Sequence, residues 1–167
     1  MWDVFRALDK GWTAEQVHEC TNIDPWFLRQ FVEIVEMRQD AAKAGLDGMT
    51  AGKLRKLKRS GFGDQEIALA LDTTEKAVSD KRVEHKLQPV YKRVDTCAAE
   101  FESFTPYMYS AYEPTCEAHP TAKNKVVILG SGPNRIGQGI EFDYCCCHAA
   151  FALKEEGLET IMINCNP

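Results

Sequence analysis

No apolar run in this chain approaches the roughly 18 residues needed to cross a bilayer, which argues against a membrane-spanning helix and against a membrane partner. A basic surplus is missing too. Twenty Lys and Arg stand against 25 Asp and Glu, for a net charge of −5, so no overall field would hold nucleic acid or an anionic surface. Glycine (11) and proline (7) are too sparse among 167 residues for a collagen or a low-complexity linker. With 44% apolar and 27% charged residues, the composition is that of a folded protein of one full domain or two small ones. The opening Met1-Trp2-Asp3-Val4-Phe5-Arg6-Ala7-Leu8 has neither the apolar core of a signal peptide nor the Arg/Ser-rich pattern of a transit peptide. It starts as if already inside a helix, which predicts a piece of a longer chain. Seven cysteines, an odd number with three consecutive at Cys145, Cys146 and Cys147, point to a reducing compartment.

What is present falls into three stretches. Residues 1–88 read as helices joined by short turns. Thr13 and Gln16 have the spacing of a capping box, and Asp24-Pro25 is a cap followed by proline at the first helical position. From there Phe27, Leu28, Phe31, Ile34 and Val35 recur at three or four, the strongest amphipathic pattern in the chain. Thr50 caps a short helix with Leu54 and Leu57 that stops at Gly61. Asp64 caps another through Ile67 to Leu71, and Thr73 or Thr74 opens a last one reaching about Lys86. Residues 89–124 differ: Pro89, Pro106, Pro114 and Pro120 punctuate a stretch carrying Tyr91, Phe101, Phe104, Tyr107, Tyr109 and Tyr112 with no helical or strand period. So aromatic a connector is expected to lie against a larger body, burying roughly 150 to 250 Å² per ring.

Residues 125–167 switch to α/β. Lys125-Val126-Val127-Ile128-Leu129 reads as a parallel strand buried on both faces. A glycine-rich turn follows, then a helix with Ile140, Tyr144, Cys147 and Phe151 on one stripe, capped at Gly157, and a second strand Thr160–Asn164. This is a βαβ opening whose sheet is incomplete. The turn is the best candidate site, because a strand running through Gly130, Gly132, Asn134, Arg135 and Gly137 into a helix N-terminus gathers backbone N–H groups and a positive dipole end. Anions or carboxylates would bind there, the alternative being that the glycines serve only a tight strand-to-helix turn. It is neither a dinucleotide fingerprint, since the third glycine position falls on Arg135, nor a Walker motif, since no Gly-Lys-Ser/Thr follows. Glu141 and Asp143 in the first helical turn read either as dipole-favoured caps or as lining of a polar path with Arg135.

Two further constellations carry less. Cys116 with His119 and Cys145 with His148 have zinc-ligand spacing, but one pair is in an irregular stretch and the other on a sheet-packed helix, so no metal site is predicted and the cysteine triplet is read as buried small hydrophobes. Residues 64–78 have a helix-turn-helix cadence near the basic run Lys53, Arg55, Lys56, Lys58 and Arg59, which reads as a solvated face. A stand-alone helical interaction module or DNA-binding protein is the alternative function. Against DNA, the would-be recognition helix carries Glu75, Asp80 and Glu84.

Residues 132–146, Gly-Pro-Asn-Arg-Ile-Gly-Gln-Gly-Ile-Glu-Phe-Asp-Tyr-Cys-Cys, and 163–167, Ile-Asn-Cys-Asn-Pro, closely resemble the carbamoyl-phosphate synthase large-subunit family at the start of its second synthetase half. Thr21-Asn22-Ile23-Asp24 with Trp26-Phe27-Leu28, Lys58-Arg59-Ser60-Gly61-Phe62, and the run from Tyr91 to Phe101 resemble that subunit's helical oligomerisation domain and its exit segment. Tyr107-Met108-Tyr109-Ser110 and the cysteine triplet are similar to bacterial or plastid-type members, so the resemblance covers nearly the whole chain.

The resemblance implies a mixed fold: an all-α oligomerisation domain (1–88), a connector (89–124), and the first βαβ unit of a Rossmann-like pre-ATP-grasp domain (125–167). It implies a fragment of an ATP-dependent ligase that makes carbamoyl phosphate from bicarbonate, glutamine-derived ammonia and two ATP, for arginine and pyrimidine synthesis. Mg-ATP would bind in ATP-grasp modules outside this segment, which alone would be inactive. Partners would be the remaining synthetase domains, a glutaminase small subunit and further copies through the helical domain, in the cytoplasm or a plastid stroma. By motif match Gly139 would give room to an internal carbamate passage and Glu141 would be one of its polar walls.

Overall fold

The computed structural model describes residues 1–104, 106–130 and 139–163, with the backbone alone for 139–143. The chain divides into two compact units, Met1–Ala118 and 119 onward.

The first unit holds six helices, α1 (Trp2–Asp9), α2 (Ala14–Thr21), α3 (Pro25–Ala44), α4 (Ala51–Arg59), α5 (Asp64–Ala70) and α6 (Glu75–Glu84), then strands β1 (Val90–Arg93) and β2 (Met108–Ala111). The starts follow from the capping residues. Thr13 Oγ1 accepts from Gln16 N–H while Gln16 Oε1 accepts from Thr13 N–H, the reciprocal box. Asp24 Oδ1 accepts from Trp26 N–H at 2.7 Å, and Thr50 and Thr74 accept from Lys53 and Ala77. Each such cap is worth about 1 kcal/mol. Asp64, expected as a cap, is instead the first residue of α5. Gly63 holds the cap position, and its N–H donates to Glu66 Oε2 at 2.8 Å. The Asp64 carboxylate is drawn away by cations described below.

Two apolar clusters fill this unit. Val4, Leu8, Ala14, Val17, Leu28 and Val35 form one; Ala41, Met49, Leu54, Leu57, Ile67, Ala68, Val78 and Leu87 form the other. α3, with 20 residues and about 30 Å long, lends side chains to both. Its expected stripe holds for Leu28 and Val35, which are buried, and for Phe31, which packs against the first cluster, but Phe27 is exposed, its ring edge to face with Trp26 at 5.0 Å. At the end of α3 the turn is tight. A Cβ on Gly48 would sit 2.4 Å from the Ala44 carbonyl oxygen, so only glycine lets the chain pass there.

The stretch after α6 is not wholly irregular. β1 and β2 pair antiparallel, Val90 opposite Ala111 through Arg93 opposite Met108. Four-residue strands 14 residues apart are too short for a period to be counted in the sequence. Of the connector aromatics, Tyr112 packs against the second cluster, whereas Tyr91, Phe101, Phe104, Tyr107 and Tyr109 stay exposed in this chain.

The second unit is β3 (Lys125–Leu129), α7 (Gly139–Glu155) and β4 (Glu159–Ile163). β3 and β4 are parallel, Lys125 opposite Glu159 through Leu129 opposite Ile163. α7 packs on both strands and stops at Gly157, whose φ of +78 suits glycine. β3 is not buried on both faces as its sequence suggests. Val127 and Leu129 are exposed, because among the described residues only α7 lies against the sheet. The helix stripe also differs: Cys146, Ala150 and Leu153 are half-buried, while Tyr144 and Phe151 are exposed. Cys145 and Cys147 are exposed as well, so the triplet is not a buried trio. Three consecutive helical residues spread over roughly 200° of circumference and cannot all face one sheet.

Candidate functional site

In the second unit the two ends of the parallel pair differ in chemistry. At the N-terminal end Lys125 Nζ donates to the Thr121 and Lys123 carbonyls and lies 4.0 Å from Glu159, which also pairs with the Thr121 hydroxyl. At the C-terminal end Gly130 continues the ladder, its N–H donating to the Ile163 carbonyl at 2.8 Å. That edge, where a parallel strand releases into a helix, is where open α/β sheets bind ligands. Gly139 is the first residue of α7 and Glu141 lies in its first turn. Gly132, Asn134, Arg135 and Gly137 lie outside the described residues, as do Asn164 to Pro167.

In the first unit the sequence hides a polar framework around β1. Glu117 folds back on the strand: Oε2 accepts from Arg93 N–H at 2.9 Å, Oε1 from the Lys92 ammonium, and its own N–H donates to the Tyr91 carbonyl. Lys92, with the Arg93 N–H beside it, holds the Glu117 carboxyl below the usual carboxylate range. Next to it, backbone hydrogen bonds from Tyr91 and Ala118 hold the exposed Cys116 thiol below its ordinary value.

Beyond β1, Asp95 accepts from Cys97 N–H at 2.9 Å and Ala99 N–H at 2.7 Å, bending the chain through Ala98 and Ala99 at φ of +52 and +59. Two consecutive left-handed alanines cost on the order of 1 to 2 kcal/mol each. The Asp95 carboxylate, the Arg93 Nη1 bond to the Ser103 carbonyl at 2.9 Å and the Ser103 hydroxyl bond to the Val94 carbonyl impose them. Asp95, Arg93 and Glu117 were not legible as a group, since their partners are backbone atoms that no spacing rule marks.

A third group ties the helices together. Lys58 Nζ donates to Asp64 Oδ1 at 2.8 Å and Arg82 Nε to Oδ2 at 3.1 Å, with the three side chains 8%, 13% and 18% exposed for Lys58, Asp64 and Arg82. Burial pushes the Asp64 carboxyl up, but the two cations outweigh it and hold it below its ordinary value. Lys58 therefore departs from the solvated basic face, and it also lies 5.4 Å from the centre of the Tyr112 ring. Every Lys or Arg on α6 is paired with a carboxylate: Lys76 with Asp80, Lys81 with Glu84, Arg82 with Asp64. With Lys76, Lys81 and Arg82 matched by Glu75, Asp80 and Glu84, α6 presents no basic stripe to phosphates, and DNA binding is not favoured. The His148 ring lies 4.3 Å from that of Tyr144, tilted, and 6.1 Å from that of Phe151, edge to face. Among the described residues no three His, Cys, Asp or Glu side chains converge.

Comparison with known proteins decides the family. The pattern described as carbamoyl-phosphate synthetase large chain, oligomerisation domain, matches residues 1–86, and that of the carbamoyl phosphate synthase preATP-grasp domain matches residues 122–167. The chain belongs to the carbamoyl-phosphate synthetase large-chain family. It is 56% identical over 165 residues to the carbamoyl phosphate synthase large chain of Neisseria meningitidis serogroup A, covering 99% of this chain and 15% of that one. With the large chain of Synechocystis it shares 55% over 168 residues, 100% of this chain and 16% of the relative. With the arginine-specific, chloroplastic large chain of Oryza sativa it shares 54% over 164 residues, 98% and 14%. The chain thus spans about a seventh of the length of these large chains. No helix among the described residues is long and apolar enough to cross a membrane.

Proposed function

We propose that this chain is part of the large chain of a glutamine-hydrolysing carbamoyl-phosphate synthase, a ligase forming carbamoyl phosphate from bicarbonate, glutamine-derived ammonia and two ATP for arginine and pyrimidine synthesis. The identity running through the whole chain carries this reading. Residues 1–88 supply contacts between copies, 89–124 connect, and 125–167 open a pre-ATP-grasp lobe. The partners are the other synthetase domains of the same large chain and a glutaminase small subunit, in the cytoplasm or a plastid stroma. Mg-ATP belongs to ATP-grasp modules of that larger protein. The described residues offer no cluster of three acidic or other ligating side chains for its magnesium.

Within the lobe, the C-terminal edge of β3 and β4 is the place for the chemistry. By motif match Gly130, Gly132, Asn134, Arg135 and Gly137 are assigned to the binding of an anion, and Gly139 and Glu141, in the first turn of α7, to the carbamate passage. Carbamate decomposes in water, so a passage that excludes solvent protects the intermediate as much as it guides it. The test is Gly139→Phe in the full-length synthetase. ATP hydrolysis should continue while carbamoyl phosphate formed per ATP drops by about tenfold; unchanged coupling overturns the passage.

A further inference from the structure

Where the first unit ends and the second begins, the chain is tied down on each side and left untied over two residues. On the first unit's side Lys92 Nζ donates to Thr115 Oγ1 at 3.2 Å, Glu117 N–H donates to the Tyr91 carbonyl at 2.8 Å, and Arg93 N–H donates to Glu117 Oε2 at 2.9 Å. The Ala118 N–H turns back to the Cys116 thiol. On the second unit's side the Thr121 hydroxyl donates to the Glu159 carboxylate, and Glu159 N–H donates to the Asn124 carbonyl at 3.0 Å. His119 and Pro120 remain. Both are exposed, and no hydrogen bond or ion pair among the described residues reaches either. The division into compact units falls at the same place, after Ala118.

The torsion at His119 turns this gap into a pivot. Its φ is +41, in the left-handed region, while the proline that follows favours extended torsions before it. A left-handed torsion on a residue other than glycine persists where its neighbours impose it. Asp95, Arg93 and Ser103 do so for Ala98 and Ala99, but at His119 no bond among the described residues does. Two backbone basins are therefore open to one residue. Pro120, its φ locked near about −65°, carries the change into the direction of the chain beyond it. We propose that His119-Pro120 is a hinge, at which His119 passes between the left-handed and the extended basin and the α/β unit turns independently of the helical unit. A hinge of this kind puts a large torsional change on a few residues and leaves the packing on either side as it was. The pins at Glu117 and Thr121 confine the motion to these two residues. The hinge does not depend on the ligase reading.

The test is a set of amide residual dipolar couplings from the weakly aligned 167-residue chain. The amides of α1 to α6 with β1 and β2 should fit one alignment tensor, and those of β3, α7 and β4 a second of different magnitude, because loop torsions exchanging in ns to μs average the two alignments separately. His119→Val removes the left-handed basin, which a β-branched residue does not adopt, and should shrink the difference between the two magnitudes. His119→Gly, at home in both basins, should enlarge it. Amide shifts inside each unit should stay where they are in both variants. Should a variant fail to fold, the wild-type couplings still decide. A single tensor that fits the whole wild-type chain, or folded Val and Gly variants with the wild-type difference, would overturn the hinge.

Discussion

Asp64 is one carboxylate answering two cations, and removing it tests whether the helical unit is held by charge as well as by its apolar clusters. In Asp64→Ala, Lys58 and Arg82 remain facing each other with side chains 8% and 18% exposed, too dry for water to replace the lost partner. Breaking a fully buried pair costs about 3 to 5 kcal/mol; the residual exposure here lowers the expectation to about 2 to 4 kcal/mol. Urea unfolding followed by helical circular dichroism at 222 nm should show this. With an m-value of about 2 kcal/mol per molar, the midpoint should drop by about 1 to 2 M. Asp80→Ala is the internal control, since Asp80 and Lys76 are 65% and 82% exposed and their pair is worth at most about 0.5 kcal/mol. Acid supplies a second readout. Because the Asp64 carboxyl is held below its ordinary 3.8, its stabilisation is whole above that value and lost as pH falls through the folded-state value. The wild-type chain should therefore lose stability more steeply than Asp64→Asn on acidification below about pH 4. Equal midpoints for Asp64→Ala and Asp80→Ala, or parallel acid profiles, would refute the reasoning.

Gly48→Ala should destabilise by about 1 to 3 kcal/mol in a thermal melt, since the new methyl would meet the Ala44 carbonyl at 2.4 Å and the backbone must give way. Ala99→Gly should act in the opposite sense, raising stability by about 1 kcal/mol by relieving a left-handed alanine at φ +59; a loss would show that the methyl packs. Cys116 should be alkylated by iodoacetamide faster in the folded chain than in urea near neutral pH, because folding lowers its thiol; equal rates would remove that shift.

Helix positions were legible because their signals are local. Thr13 with Gln16, and Asp24 with Pro25, act within one turn, and the structure places caps there. The Asp64 cap failed for a non-local reason: Arg82, 18 residues away, competes for its carboxylate. The half-buried stripe on α7 lies one position before the expected one, because Tyr144 and Phe151 have the spacing of a core face while the smaller Cys146 and Ala150 allow the closer approach to the sheet. Of the second unit, the strand–helix–strand order was legible. The Glu117 and Asp95 frameworks were not, since hydrogen bonds to backbone N–H groups leave no mark in composition or period.

The sharing of α3 between the two apolar clusters bears on how this unit opens. Leu28 and Val35 belong to one cluster and Ala41 to the other, along a single run of hydrogen-bonded turns. Neither cluster can come apart without fraying the rod common to both, so they form one foldon rather than two. The slowest-exchanging amides of the chain should lie in the middle of α3, and they should report the same opening free energy as the interiors of α2 and α4. A displacement at the Asp24 cap would then be felt at the Gly45 end about 30 Å away, carried as rigid-body tilt instead of as a relay of side-chain moves.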